Sequence, residues 1–149
     1  MLVSQKAHYA LRAIFELAMR YGQGPVKIAD IANAEAIPVR FLEVILSQLK
    51  QAGFVESRRG NVGGGYILSR LPAGLTVGEV LRFIEGPITL VECTENKAKD
   101  NCPLIGECVL LPMWERARNA ISTVYDGTTF QNLVDQKNKV NRNAVSYSI

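Results

Sequence analysis

The chain is predicted to fold as a mainly helical protein carrying one small β-hairpin and ending in a long helix. Three observations predict this. Apolar residues recur at three- and four-residue spacing through most of the chain, the signature of helices with one buried face. A single stretch near the middle alternates with period two instead, as a half-buried strand does. Between these segments stand Gly, Pro and Ser/Thr residues at positions where helices start and stop.

Taken in order, Ser4 can cap a first helix running to about Arg20, with Leu11, Ile14, Phe15 and Ala18 on its inner stripe. The break "GQGP" at 22–25 ends it. "KIADIANAEAI" (27–37) is a short helix with Ile28, Ile31 and Ala32 inward. Pro38 suits the first turn of a third helix, "PVRFLEVILSQLKQAG", apolar at Phe41, Leu42, Ile45, Leu46 and Leu49 and ended by Gly53. "FVESRR" (54–59) and "YILSR" (66–70) are strands, with "GNVGGG" (60–65) as the turn of the hairpin. Thr76 and Glu79 form a capping box that opens a helix through about Glu85. A cysteine-bearing loop follows. Pro112 then begins a long helix with Met113, Trp114, Ala117, Ile121 and Val124 on one side, ending at "DG" (126–127). "TTFQNLVDQ" is one more short helix, and the last dozen residues, polar and rich in Asn, are expected to fray.

With 149 residues and 48% hydrophobic content, the chain suits one domain with a proper core. No apolar run reaches the ~18 residues of a membrane span. The N-terminus is charged and amphipathic, unlike a secretory leader, so the expected location is the cytoplasm, where thiols stay reduced. The net charge of +3 is uneven: residues 1–75 carry nine Lys/Arg against five Asp/Glu, and residues 76–149 eight against nine. A basic front half weakly suits a polyanionic partner; on charge alone a plain solvated surface is the preferred reading.

The order helix, short helix, turn, helix, hairpin is that of a winged helix-turn-helix. Its third helix fits the major groove of DNA, and early outward residues reach base edges first: here Val39, Arg40, Glu43 and Val44. Arg can pair with guanine, and Glu can accept from cytosine. Arg58 and Arg59 stand on the hairpin beside glycines that let backbone approach a phosphate or a narrow minor groove. Lys6 and Arg12 on the first helix are candidates for phosphate contacts.

Cys93, Cys102 and Cys108 are all the cysteines of the chain, separated by eight and five residues. A zinc knuckle uses a tight two-residue gap, whereas wider gaps can wrap something larger, and thiolates are the usual iron–sulfur ligands. Spacing alone leaves the occupant open. Incidental thiols are the competing reading, set against the polarity of the loop around Lys97, Asp100, Asn101 and Glu107.

The segments "KAHYALRAIFELA", "FLEVILSQLKQAGFVESRRG", "GGGYILSR" and "TVGEVLRFIEGP", followed by clustered cysteines and a Trp in the next helix, resemble the bacterial IscR/NsrR/RirA family of iron–sulfur transcription regulators. The resemblance spans roughly residues 1–137. It implies a winged-helix homodimer that binds a double-stranded DNA operator, with residues 1–86 as DNA-binding domain and 87–110 as the cluster loop. Residues 111–137 would be the dimerisation helix and a short C-terminal helix, and 138–149 a flexible tail. Arg59 matches the family's wing arginine, and positions 40, 43 and 44 match its recognition face. The wing departs from the pattern at Asn61 and Val62, which stand where a proline usually precedes the glycines, making it one residue longer.

The resemblance also implies that Cys93, Cys102 and Cys108 hold a [2Fe–2S] or [4Fe–4S] cluster, and "NCPLIGEC" looks most like the RirA branch. IscR-type members carry a histidine three residues beyond the last cysteine; here that residue is Leu111, which cannot bind metal. The only histidine is His8, a position from which NsrR-like members donate a ligand across the dimer. Three cysteines of one chain plus His8 of its partner are therefore the expected ligand set. The alternatives are an exogenous thiol, water, or a carboxylate such as Glu92 or Glu107. The expected function is a cluster-dependent transcriptional repressor responding to iron or cluster supply, nitric oxide or redox state. The competing readings are a zinc-stabilised or thiol-redox regulator with the same DNA head and, more remotely, a Cys/His enzyme. No nucleophile elbow, phosphate loop or paired-carboxylate motif supports an enzyme.

Overall fold

The computed structural model describes residues 2–60, 63–95 and 102–147. Six helices and one antiparallel hairpin are found among them: α1 (Gln5–Met19), α2 (Ile28–Glu35), α3 (Val39–Gln51), β1 (Val55–Gly60), β2 (Gly63–Leu68), α4 (Val77–Glu85), α5 (Leu111–Gly127) and α6 (Phe130–Tyr147). The expected winged helix-turn-helix followed by a long helix is what the chain adopts.

Helix α1 is the hub, packed against α2, α3, α4 and α6. Ser4 caps it as expected, its hydroxyl accepting from the Ala7 N–H at 3.1 Å. Its inner stripe is Ala7, Ala10, Ala13, Ile14, Leu17 and Ala18, the small residues admitting close neighbours, while Leu11 and Phe15 are only half-buried. From α3, Leu42, Ile45, Leu46 and Leu49 enter the core, but Phe41 does not and is 46% exposed. Pro38 stands one residue before α3 as its N-cap, and Gly53 follows the C-cap Ala52 with φ +82°, a conformation that suits glycine.

The hairpin corrects the expected turn. Gly63, Gly64 and Gly65 are paired strand residues opposite Gly60, Arg59 and Arg58, so the connection shrinks to residues 61–62. Asn61 and Val62 lie outside the described residues. The glycines serve close approach as well as turning: Val26 and Tyr66 exchange two backbone hydrogen bonds of 2.9 Å, a third rung that pins the wing to the loop after α1. A Cβ on Gly65 would stand 2.6 Å from the Val26 carbonyl oxygen.

Thr76 and Glu79 form the capping box in both directions: Thr76 Oγ1 accepts from the Glu79 N–H at 3.2 Å, and Glu79 Oε2 accepts from the Thr76 N–H at 2.9 Å. Burial works to raise the Glu79 carboxyl, but the Thr76 N–H and the Arg70 guanidinium outweigh it and hold the group below its ordinary value. Thr76→Ala should therefore cost about 1 kcal/mol, read as a lowered midpoint in chemical denaturation with an unchanged slope.

The C-terminal region differs most from expectation. Phe130, which the sequence pattern does not single out, is fully buried and anchors α6 in the core. Helix α6 then runs 18 residues to Tyr147, well past the short helix expected near residues 128–136. Its second half is exposed, so residues expected to fray are helical here without burying a face. None of the residues of α5 is buried within the single chain, and Met113 and Val124 are 46% and 63% exposed on the side the sequence marks as apolar.

Candidate DNA face and thiol site

Two surfaces concentrate the residues singled out from sequence. On the first, Val39, Arg40, Glu43 and Val44 are all exposed on the outer face of α3, as expected. The Arg40 guanidinium lies 4.8 Å from the Phe41 ring, a cation–π contact that props it along the helix surface. Lys6 is exposed on α1 and borders a groove shared with Phe41 and Val44 of α3. Arg58 and Arg59 are exposed on β1; Arg58 reaches Glu56 at 3.3 Å, a solvent-facing pair of little energetic weight that is free to exchange for a phosphate. Arg12 is placed differently from its expected phosphate role. It turns inward, 3.4 Å from Glu35 and over the Tyr9 ring at 5.8 Å. Burial pushes the Glu35 carboxyl up, with the Arg12 hydrogen bond opposing it.

On the second surface, Cys93, Cys102 and Cys108 are half-buried free thiols that line one cavity of about 80 Å³. Cys93 sits in a 3-10 turn (Glu92–Thr94) tied to α5, because Arg118 Nη1 donates to the Thr94 carbonyl at 2.9 Å. Cys102 opens a tight turn in which the Ile105 N–H donates to its carbonyl at 3.1 Å, and Gly106 at φ +83° brings the chain round to Cys108. Leu104, Ile105 and Leu111 complete the walls. Residues 96–101, including Lys97, Asp100 and Asn101, lie outside the described residues.

The donor set suits a thiolate-bound group in kind: three thiols from separate turns face one apolar-walled space. It is not closed into ligating geometry, since no cluster of three or more His, Cys, Asp or Glu side chains among the described residues is arranged to hold a metal ion. His8 is exposed on the first turn of α1 and is not part of the cavity, and Glu92 and Glu107 are exposed outside it. Leu111, three residues beyond Cys108, occupies the wall. Its offset from Cys108 is visible in the sequence; its place at the cavity is not.

Contacts connect the two surfaces. Arg82 of α4 makes a two-pronged pair with Asp126 of α5 at 2.5 and 2.9 Å, and its hydrogen bond holds the Asp126 carboxyl below its ordinary value. Helix α4 touches the base of the wing through Phe83 and Phe54, whose rings are 5.4 Å apart. In the same last turn, Glu85 accepts from the Ser4 N–H at 2.9 Å, at the start of α1.

Comparison with known proteins gives a consistent set of relatives. A family model described as Rrf2, iron-dependent transcriptional regulator, matches residues 3–136. The chain is 36% identical over 133 residues to the HTH-type transcriptional regulator CymR of Bacillus subtilis, covering 89% of each. It is 31% identical over 134 residues to the regulator IscR of Aliivibrio salmonicida, covering 90% of this chain and 77% of that one. Among solved structures it is similar to CymR, called the global cysteine regulator of B. subtilis, with 34% identity, a TM-score of 0.74, and coverage of 91% and 98%. It is also similar to IscR of T. potens, with 31% identity, a TM-score of 0.73, and coverage of 92% and 88%. These relatives are named as regulators, not enzymes, which removes the Cys/His enzyme reading.

Proposed function

The chain belongs to the Rrf2 family of transcriptional regulators, and on that premise we propose that it is a cytoplasmic homodimeric repressor whose hold on its operator depends on an iron–sulfur cluster. The observation that carries this reading is the convergence of Cys93, Cys102 and Cys108 on one apolar-walled cavity beside α5. These thiols would hold the cluster, with His8 of the partner chain as fourth ligand. When bound, the cluster supplies a redox- and iron-responsive cross-link between chain segments. Arg118 fixes the Cys93 turn to α5, and Leu104, Ile105 and Leu111 give the thiols an apolar border. The exposed Met113 and Val124 of α5 suit the seam between two chains.

Arg40, Glu43 and Val44 read base edges on this account, while Arg58, Arg59, Lys6 and Asn61 hold the backbone. The route from thiols to DNA is supported by the contacts from α5 through the Asp126–Arg82 pair to α4, and from there to the wing base and the start of α1. Arg59→Ala should weaken operator binding up to about tenfold and reduce the slope of log affinity against log salt by about 1, with no change in thermal midpoint. Equal affinities at several salt concentrations would remove Arg59 from the interface.

A second reading has specific support. A solved structure at 34% identity, CymR, is called the global cysteine regulator of B. subtilis. On that reading the same DNA head is governed by thiol chemistry or zinc. Anaerobically purified protein separates the two: a cluster gives colour, iron and acid-labile sulfide, whereas zinc and bare thiols give none of these.

A further inference from the structure

A larger cleft than the thiol cavity lies between the end of α1, the loop that follows it, and the wing. Its volume is about 440 Å³, within the range of small-molecule sites. Its floor is apolar, with Leu17 and Leu68 buried. Ser69 lines this cleft, and its Oγ is the one buried side-chain polar atom among the described residues that has no hydrogen-bond partner. A buried hydroxyl without a partner costs free energy that a ligand atom can recover. Two guanidinium groups also border the space. Arg20 engages Glu16 through Nε at 2.6 Å, and Arg58 engages Glu56 through Nη2 at 3.3 Å, so each keeps further N–H donors for another acceptor. Tyr21, Tyr66 and Glu56 line the same space.

We propose that this cleft binds a small carboxylate with an apolar body, its carboxylate on Arg20 and Arg58, its body on the tyrosines and the floor, and a polar atom on Ser69. Paired N–H donors suit a carboxylate, since guanidinium groups recognise it in bidentate fashion. Arg58 faces both this cleft and the outer surface of the wing beside Arg59. A carboxylate held there competes with a DNA phosphate for the same guanidinium, so occupancy lowers operator affinity. This second half rests on the reading of the wing as a DNA contact; the first half does not.

The experiment uses the full chain, with benzoate, phenylacetate and hexanoate as probes and benzylamine as the cationic control. Amide shifts at Tyr66 and Ser69 in ¹H–¹⁵N spectra should move saturably with the carboxylates and not with benzylamine. Arg20→Gln should abolish saturation, and Ser69→Ala, the milder change, should weaken it. Absence of saturation with all three acids, or saturation unaltered in Arg20→Gln, overturns the site. On an operator duplex selected from a random-sequence pool, saturating acid should reduce wild-type affinity at least about fivefold, the low end of allosteric coupling, and leave Arg20→Gln unchanged. Saturable binding with unaltered operator affinity overturns the competition. Failure of the protein to bind any duplex without acid would instead count against the DNA reading itself.

Discussion

Cys102→Ala should lose its iron and acid-labile sulfide after anaerobic reconstitution, while its circular dichroism and denaturation midpoint stay at wild-type values. The side chain is half-buried in a loop outside the core, so its truncation removes a donor without opening a core cavity. Cys93 and Cys108 remain at the same cavity, but two thiols leave too few donors in one chain to retain a cluster against exchange. Iron and sulfide at wild-type levels in the variant would exclude Cys102 as a ligand. The companion variant works in the opposite direction. Leu111 forms part of the cavity wall, and Leu111→His places an imidazole beside the three thiols. If the cavity is the cluster site, Leu111→His should slow cluster loss to chelator; a rate equal to or faster than wild type would argue against that wall as the open coordination side.

Gly65→Ala should unseat the wing. The added methyl would meet the Val26 backbone, with its carbonyl oxygen, carbonyl carbon and nitrogen at 2.6, 2.7 and 2.8 Å. Backbone in a bridge cannot yield as a side-chain tip can, so one of the two Val26–Tyr66 hydrogen bonds must break. The expected cost is about 3 kcal/mol, the upper end for over-packing, together with loss of the geometry that presents Arg58 and Arg59. Gly64→Ala is the control, because its methyl would meet only the Arg58 carbonyl oxygen at 3.4 Å, an ordinary contact. Thermal unfolding of the two variants side by side should show a lowered midpoint for Gly65→Ala alone. Equal midpoints would mean that the wing is not pinned at Val26.

How much of this was legible from sequence depends on how local each signal is. The Ser4 cap, the Thr76–Glu79 box and the α3 stripe are encoded within a few residues, and the structure has all of them. The glycine run read as a turn because Gly63–Gly65 carry no side-chain pattern to mark a strand. What makes them strand is their pairing with Arg58, Arg59 and Gly60, and Gly65 must also accommodate the backbone of Val26, some forty positions away. Phe130 carries no local mark for the same reason: its burial comes from distant elements, and its own segment is polar. The length of α6 was hidden because its Asn-rich second half has weak helix propensity and buries nothing. At the thiol site the three cysteines were plain in the sequence, but their shared cavity and the place of Leu111 in its wall are tertiary facts. Arg12 shows the converse, a cation assigned to DNA by position that Glu35 draws inward.

A group bound by the three thiols should govern DNA affinity. The direct measurement is operator affinity under anaerobic conditions for cluster-loaded and cluster-free wild-type protein, beside Cys102→Ala. The prediction is at least about a fivefold difference between the two wild-type forms, the low end of typical coupling, with the variant fixed at the cluster-free value. Identical affinities for all three, or a preparation that takes up neither iron nor sulfide, would contradict it.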